Sequence, residues 1–300
     1  MSAATTTKVP HLGGVTAGYR MSGDRYDITK PTTVLVNSMC TTVSLFNDMY
    51  SNTELTNAMN LLAIEPLGHG ATSCPTEHFT YWDSAIIALQ VMDNLGIDKA
   101  FAFGESQGGW IVVRMALLAP ARILGLMPTG TSMDSESEDS RRKGAWDPKP
   151  LLNPFLEKWS SVTPTPDFVI DDVWCGMVTE FGFPRTVTTE KKNFWTSTLK
   201  SVYKEDEGRK KAKVALICLL ERDSLLLRLR DIKCPVHWLQ GTQDIPYGLA
   251  LASEQIRLFT SSEEAKLEIV EGGSHYLNTS NPIEVGDALQ ALVKEYTKAT

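Results

Sequence analysis

From residue 32 onward, short runs of apolar and β-branched residues alternate with longer stretches in which apolar residues recur every three or four positions. Unbroken apolar runs of four or five residues fit strands buried on both faces, and the 3.6-residue period fits helices laid against them. The strands predicted this way are Thr33-Val34-Leu35-Val36, Leu61-Leu62-Ala63-Ile64, Ala100-Phe101-Ala102-Phe103 and Ile123-Leu124-Gly125-Leu126-Met127. Between the second and third, Trp82, Ala85, Ile86, Leu89 and Met92 line one side of a helix, with Gly96 where a C-terminal cap would sit. The alternation resumes late in the chain, with strands at Val236-His237-Trp238-Leu239 and Leu267-Glu268-Ile269-Val270 and a helix over residues 248–260 between them. A closing helix follows Asn281-Pro282, proline suiting a first turn, with an apolar stripe of Val285, Ala288, Leu289, Leu292, Val293 and Tyr296. The pattern predicts an α/β fold: a mostly parallel central sheet with flanking helices.

Residues 134–230 interrupt that rhythm. They are rich in charge and in aromatics, among them Trp146, Trp159, Phe168, Trp174, Phe181, Phe183 and Trp195, and they carry no repeat or low-complexity tract. They read as a helical cap inserted into a core domain formed by residues 1–133 and 231–300.

Composition narrows the partners. A formal charge of −7 over 300 residues, 42% of them hydrophobic, argues against nucleic acid or an anionic membrane, which would repel the net field. The basic run Arg209, Lys210, Lys211 and Lys213 lies beside Glu205, Asp206 and Glu207, so it is expected to be a solvated helix face. Five widely spaced cysteines with no C-x-x-C pair predict neither a disulfide framework nor a zinc site, and no metal or cofactor is expected. The N-terminus lacks the apolar core of a secretion signal and no run approaches the ~20 apolar residues of a membrane span, so the expected compartment is the cytoplasm. Nothing in the pattern sets the oligomeric state; a dimer is compatible with it.

The candidate chemistry begins at Gly104-Glu105-Ser106-Gln107-Gly108, a G-x-S-x-G pattern that a chain of this size meets by chance ~0.1 times. Its setting strengthens it: a strand precedes it, and the apolar stretch from Trp110 to Leu117 begins a buried helix, the strand–turn–helix that exposes a serine hydroxyl. Such a hydroxyl needs a base. His275, in Glu271-Gly272-Gly273-Ser274-His275, stands just past the last strand on a glycine-bearing loop, whereas His237 lies within a strand and His69 in a turn. The base needs an acid to orient it, and Asp244 directly follows the strand Val236–Leu239, with Asp134 as the rival. Glu105 is expected to point beneath the turn, with no catalytic role.

With these residues in view, nearly the whole chain resembles the α/β-hydrolase superfamily, in its cap-bearing, serine-nucleophile form. Glu65-Pro66-Leu67-Gly68-His69-Gly70-Ala71-Thr72-Ser73 is similar to the family's D-x-x-G-x-G-x-S turn, with glutamate for aspartate and one extra residue. The resemblance implies Ser106, Asp244 and His275 as catalytic residues and the backbone N–H groups of Met39 and Gln107 as the oxyanion hole. One departure is plain: where the family has His-Gly after its first parallel strand, this chain has Asn37-Ser38-Met39-Cys40. The expected activity is hydrolysis of an ester or lactone of a hydrophobic small molecule, aromatic or polyketide-like, with Trp146, Trp174 and Trp195 lining its pocket. Carbon–carbon bond hydrolysis, a cofactor-free lyase or cyclase step, and a ligand receptor with an unused triad are the alternatives the same scaffold allows.

Overall fold

The computed structural model describes residues 4–23 and 26–297. Its centre is an eight-stranded sheet of order β1-β2-β4-β3-β5-β6-β7-β8. The strands are β1 (Thr5–Val9), β2 (Val15–Met21), β3 (Thr32–Val36), β4 (Asn60–Ile64), β5 (Ala100–Glu105), β6 (Ile123–Thr129), β7 (Val236–Gly241) and β8 (Ala265–Val270). β3 to β8 run parallel, while β2 joins both β1 and β4 antiparallel.

Helices α1 (Asn47–Ser51) and α2 (Thr53–Ala58) precede β4; α3 (Tyr81–Asn94) and α4 (Gln107–Leu118) flank β5. Between β6 and β7 come α5 (Glu138–Arg142), α6 (Pro148–Trp159), α7 (Asp172–Gly182), α8 (Thr189–Val202) and α9 (Glu205–Leu220). The chain then closes through α10 (Leu249–Gln255), α11 (Leu277–Ser280) and α12 (Pro282–Thr297). Each predicted parallel strand and the helices around it are present. The helix expected over 248–260 stops at Gln255 and tightens into a 3₁₀ turn over Ile256–Leu258. The antiparallel pair β1–β2 was not foreseen, because Thr5-Thr6-Thr7-Lys8-Val9 is polar and mostly exposed at a sheet edge, where burial does not demand an apolar run.

The period-two geometry of the strands sorts the core into two layers. Val34, Val36, Leu62, Ile64, Ala100 and Ala102 face α3 and α4, while Leu35, Leu61, Ala63, Phe101 and Phe103 face the layer of α12. α3 starts at a capping box: Thr80 Oγ1 accepts from the Trp82 N–H, and Asp83 Oδ2 accepts from the Thr80 N–H at 2.6 Å. Gly96, at φ +69°, follows its C-cap as expected.

The helices between β6 and β7 build most of a further core cluster, containing Leu152, Trp159, Ile170, Trp174, Leu199, Tyr203 and Leu216, which Cys40 of the loop after β3 also joins. Trp159 and Trp174 meet edge-on at 4.8 Å, and Phe155 packs on both; such ring pairs add about 1 kcal/mol each beyond their buried area. Arg209 departs from the expected solvated face. It is buried, and donates to the Trp159 carbonyl at 2.6 Å, Thr165 Oγ1 at 2.7 Å and Asp206 at 2.8 Å, because this helix lies against α6 and not in open water. All five cysteines are free thiols. Among the described residues no helix is long and apolar enough to cross a membrane.

Candidate active site

The loops at the C-terminal ends of β3, β5, β6, β7 and β8 converge on Ser106. Ser106 sits between β5 and α4 at φ 55°, ψ −118°, a conformation that costs an L-residue about 1–3 kcal/mol and that lifts the side chain out of the turn. The flanking glycines make the turn sterically feasible. A Cβ on Gly104 would come within 2.2 Å of the Gly108 carbonyl oxygen, and one on Gly108 within 2.0 Å of the Val36 carbonyl oxygen.

His275 Nε2 lies 2.9 Å from Ser106 Oγ, and its Nδ1 lies 3.1 Å from both carboxylate oxygens of Asp244. An ionised carboxylate only accepts, so Nδ1 carries the proton and Nε2 offers its lone pair to the serine hydroxyl. Asp244 is itself held by two further donors, Gln240 Nε2 at 2.8 Å and the Tyr247 N–H at 2.9 Å. Gly130, at φ +52°, lets β6 pass under this loop, since a Cβ there would meet the His275 carbonyl oxygen at 2.3 Å. Asp134, the rival acid, turns elsewhere: its Oδ2 accepts from Ser137 and Ser140 hydroxyls at 2.5 Å each, at the start of α5. Burial works upward on its carboxyl, but the hydroxyl donors prevail and hold it below the usual carboxylate range.

Met39 borders the same cavity as Ser106, and Gln107 opens α4 immediately after it. Among the described residues, neither the Met39 N–H nor the Gln107 N–H is donated to a protein acceptor. The loop that replaces His-Gly is braced from behind. Asn37 Nδ2 donates to the Thr41 carbonyl at 2.9 Å, Ser38 Oγ donates to the Glu105 carbonyl at 3.2 Å, and Cys40 takes a φ of 60°. The Gln107 side-chain amide donates to the Asn37 carbonyl at 3.2 Å and to His69 Nε2 at 2.9 Å, while His69 Nδ1 donates to the Leu67 carbonyl. Complete burial lowers the His69 pKa to about 4, which keeps the ring neutral and Nε2 an acceptor.

Glu105 points beneath the elbow, where it accepts from the Asn278 N–H at 2.9 Å. Burial raises its pKa to about 8, with a smaller contribution from the Asp244 charge. Glu65, the glutamate standing where the resemblance has aspartate, ties two loops together by accepting from the Val43 and Ala71 N–H groups; burial raises its carboxyl too.

The cavity at Ser106 measures about 50 Å³ and is walled by Met39, Trp146, Met177, Phe181, Tyr247 and Tyr276, with Leu152, Val178, Leu219 and Pro246 completing it. Among the described residues, His275 is the one ionisable side chain on it besides the two tyrosines. Of the three tryptophans expected here, the structure brings only Trp146 to the cavity. Trp174 is fully buried against Trp159 and Phe155 within the inserted helices. Trp195 packs on Phe183, which in turn meets Tyr276 edge-on. Both are core residues, because a helix buries its largest apolar side chains against its neighbours first. The wall residues that sequence reasoning missed include Tyr247 and Tyr276; their nearness in the chain to Asp244 and His275 was the available signal.

A larger cleft of about 440 Å³, bordered by Cys74, Glu77, Phe79 and α9, does not reach Ser106, and its lysines Lys210 and Lys211 are paired with Glu77, Asp206 and Glu207. His237, Glu264 and Glu295 place one ligand atom each within 4.8 Å of one another, a spacing a metal ion would accept. There Glu264 Oε2 already accepts from His237 at 3.0 Å and from the Tyr296 hydroxyl at 2.9 Å, and Lys266 stands 3.6 Å away, so the group is internally compensated.

Comparison with known proteins agrees with this architecture. The sequence profile of the α/β hydrolase fold matches residues 52–156. The enol-lactonase of Burkholderia xenovorans LB400 superposes with a TM-score of 0.71 at 22% identity, over 97% of this chain and 100% of that one. A thermophilic esterase from Thermogutta terrifontis gives 0.77 at 14% identity, over 98% and 99%. A hydrolase from Pseudomonas aeruginosa PA01 gives 0.74 at 20% identity, over 97% and 99%. The chain therefore has the α/β-hydrolase fold. In sequence, 82 residues are 30% identical to the dihydrolipoyllysine-residue acetyltransferase component of the acetoin cleaving system of Cupriavidus necator, a match spanning 27% of this chain and 22% of that protein.

Proposed function

We propose that this protein is a serine hydrolase that cleaves a neutral ester or lactone of a small apolar molecule through an acyl-enzyme. The observation that carries the reading is the pairing of His275 Nε2 with Ser106 Oγ at 2.9 Å while Nδ1 is engaged by Asp244. In this reading Ser106 Oγ attacks the carbonyl carbon as His275 Nε2 takes its proton, and the imidazolium that forms is stabilised by Asp244. The N–H groups of Met39 and Gln107 receive the oxygen that becomes negative, each such donor lowering the barrier by about 3 kcal/mol. His275 then protonates the departing alcohol oxygen. Water, deprotonated by the same imidazole, releases the acid.

Residues 134–230 act as the cap over the site. In support, they supply most of one core cluster and contribute Trp146, Leu152, Met177, Val178, Phe181 and Leu219 to the cavity. The apolar lining favours an uncharged substrate, because a carboxylate or ammonium buried there would have no partner. Lining by aromatic rings is in keeping with an aromatic or polyketide-like ligand, but a volume of about 50 Å³ favours a short chain.

The test is hydrolysis of p-nitrophenyl acetate and of a small lactone by the wild type and Ser106→Ala. The variant is expected to lose about 10⁶-fold in kcat, and a fluorophosphonate should leave its adduct mass on the peptide carrying Ser106 only in the wild type. Equal turnover by both proteins would sink the serine mechanism.

A further inference from the structure

From two residues of the cavity wall, Trp146 and Tyr247, a buried relay of side chains with no place in the mechanism above runs back into the fold. The Trp146 indole N–H donates to the Tyr247 hydroxyl at 3.2 Å, and that hydroxyl donates to Glu136 Oε1 at 2.8 Å. The same carboxylate oxygen is paired with the Arg222 guanidinium, and the two side chains are 3% and 1% exposed. Arg222 also donates to the carbonyls of Asp134 and Leu219, and its guanidinium stacks 4.0 Å over the Trp110 ring.

Two features make this more than ordinary packing. A buried ion pair recovers its desolvation cost poorly, and apolar residues of similar volume often serve stability as well or better. Glu136 in addition stands at φ 52°, a left-handed conformation that a glutamate adopts only when its surroundings impose it. Cost and strain are thus concentrated at one point of the fold. That point is where the inserted segment begins and ends: Asp134 and Glu136 lead out of β6, and Arg222 follows directly on α9. The pair clasps entry to exit and presents a fixed anionic acceptor to Tyr247.

The consequence reaches the cavity through Trp146. Its main chain is secured independently, the Trp146 N–H donating to the Pro246 carbonyl at 2.9 Å, so the Tyr247 hydroxyl acts on the ring and its rotamer. The ring forms cavity wall on one side and meets Phe181 of α7 edge-on at 5.7 Å. A single water needs roughly 10–15 Å³ of such space; a cavity of about 50 Å³ therefore holds a group of a few heavy atoms.

We propose that Trp146 is the residue that limits the substrate's acyl group to two or three carbons, and that Tyr247, Glu136 and Arg222 are positioning residues that hold its ring in the restrictive rotamer. The proposal rests on Ser106 being the nucleophile for esters.

The experiment compares kcat/KM for p-nitrophenyl octanoate and acetate, which share a leaving group, in the wild type, Tyr247→Phe, Trp146→Ala and the double variant. The octanoate-to-acetate ratio should rise about tenfold or more in each single variant, carried by KM for octanoate, since a few methylenes in an apolar pocket discriminate by that order. The double variant should match Trp146→Ala alone, because Tyr247 acts through Trp146. An unchanged ratio in Tyr247→Phe, or effects that multiply in the double variant, would overturn the proposal. Tyr247→Phe keeps the ring that packs on Trp110, and its melting temperature checks that it folds. If no Ser106-dependent ester turnover exists, the functional reading has failed on its own account, and the wall is then read without chemistry. Thermal shifts with phenol and 2-naphthol should show 2-naphthol stabilising Tyr247→Phe and Trp146→Ala but not the wild type. Equal shifts in all three would refute the assignment of Trp146.

Discussion

Ser106 has two unlike sides. Toward the cavity it meets methionines, aromatic rings and aliphatic side chains, with His275 the one basic group among them. Behind it, the elbow is packed with buried polar residues, Asn37, Ser38, Glu105, Gln107 and His69, each engaged by backbone or side-chain partners. The contrast separates two tasks. An apolar wall determines what fits, through shape and desolvation, and tolerates changes of volume at modest cost. A buried polar network determines where reacting atoms stand, and it is intolerant, because a deleted partner leaves a desolvated donor or acceptor unsatisfied. Changes on the cavity side should therefore alter selectivity, and changes on the rear side should alter rate or pH-dependent stability.

After Ser106 itself, the largest effect is expected at Asp244. Asp244→Asn replaces one of the two acceptor oxygens facing His275 Nδ1 by an amide donor, so the tautomer is no longer fixed and the imidazolium loses its counter-charge; it should lower kcat for a short ester about 10⁴-fold with little change in KM. Steady-state kinetics measure it, and a loss below tenfold would erase the distinction between the two sides.

Glu105 comes next. Its folded pKa of about 8 lies above the ordinary 4.5, so its contribution to stability is complete below pH 4.5 and is lost as pH rises through about 8. Urea unfolding midpoints of the wild type should decline over that interval by up to roughly 5 kcal/mol in unfolding free energy. In Glu105→Gln, which keeps an acceptor for the Asn278 N–H, the decline should flatten; identical slopes would show that the carboxyl titrates freely.

His69 should act with the opposite sign and a smaller size. Its pKa is depressed to about 4 from 6.5, so its contribution is present above pH 6.5 and is lost as pH falls through about 4, when Nε2 gains a proton and can no longer accept from Gln107. His69→Asn should flatten the acid limb of the stability profile by roughly 3 kcal/mol. An unaltered limb would remove His69 from the network.

Much of this architecture was readable from the chain. The parallel strands β3 to β7 were visible because a strand buried between helix layers must be largely apolar, whereas β8 is a mostly exposed edge strand; Ser106 stood out because the glycines around it serve one steep turn. The edge pair β1–β2 escaped because half-exposed strands impose no such pattern. The three tryptophans show the same limit at the site. Trp146, Trp174 and Trp195 are chemically identical in the sequence, yet one walls the cavity and two are buried in packing, a difference set by which helix face meets which neighbour. Arg209 misled for that reason as well, since a charged run looks solvated until α6 is laid across it.

The sequence by itself determined the layers of the fold and which loops would carry Ser106, Asp244 and His275, because local periodicity and turn chemistry are written in neighbouring residues. Only the tertiary structure decided the rest: the 2.9 Å approach of His275 to Ser106 across 169 residues, the volume of the cavity, and the meeting of Glu136 with Arg222 beneath Tyr247. Contacts between distant parts of the chain depend on how whole elements pack, and no local pattern encodes that outcome.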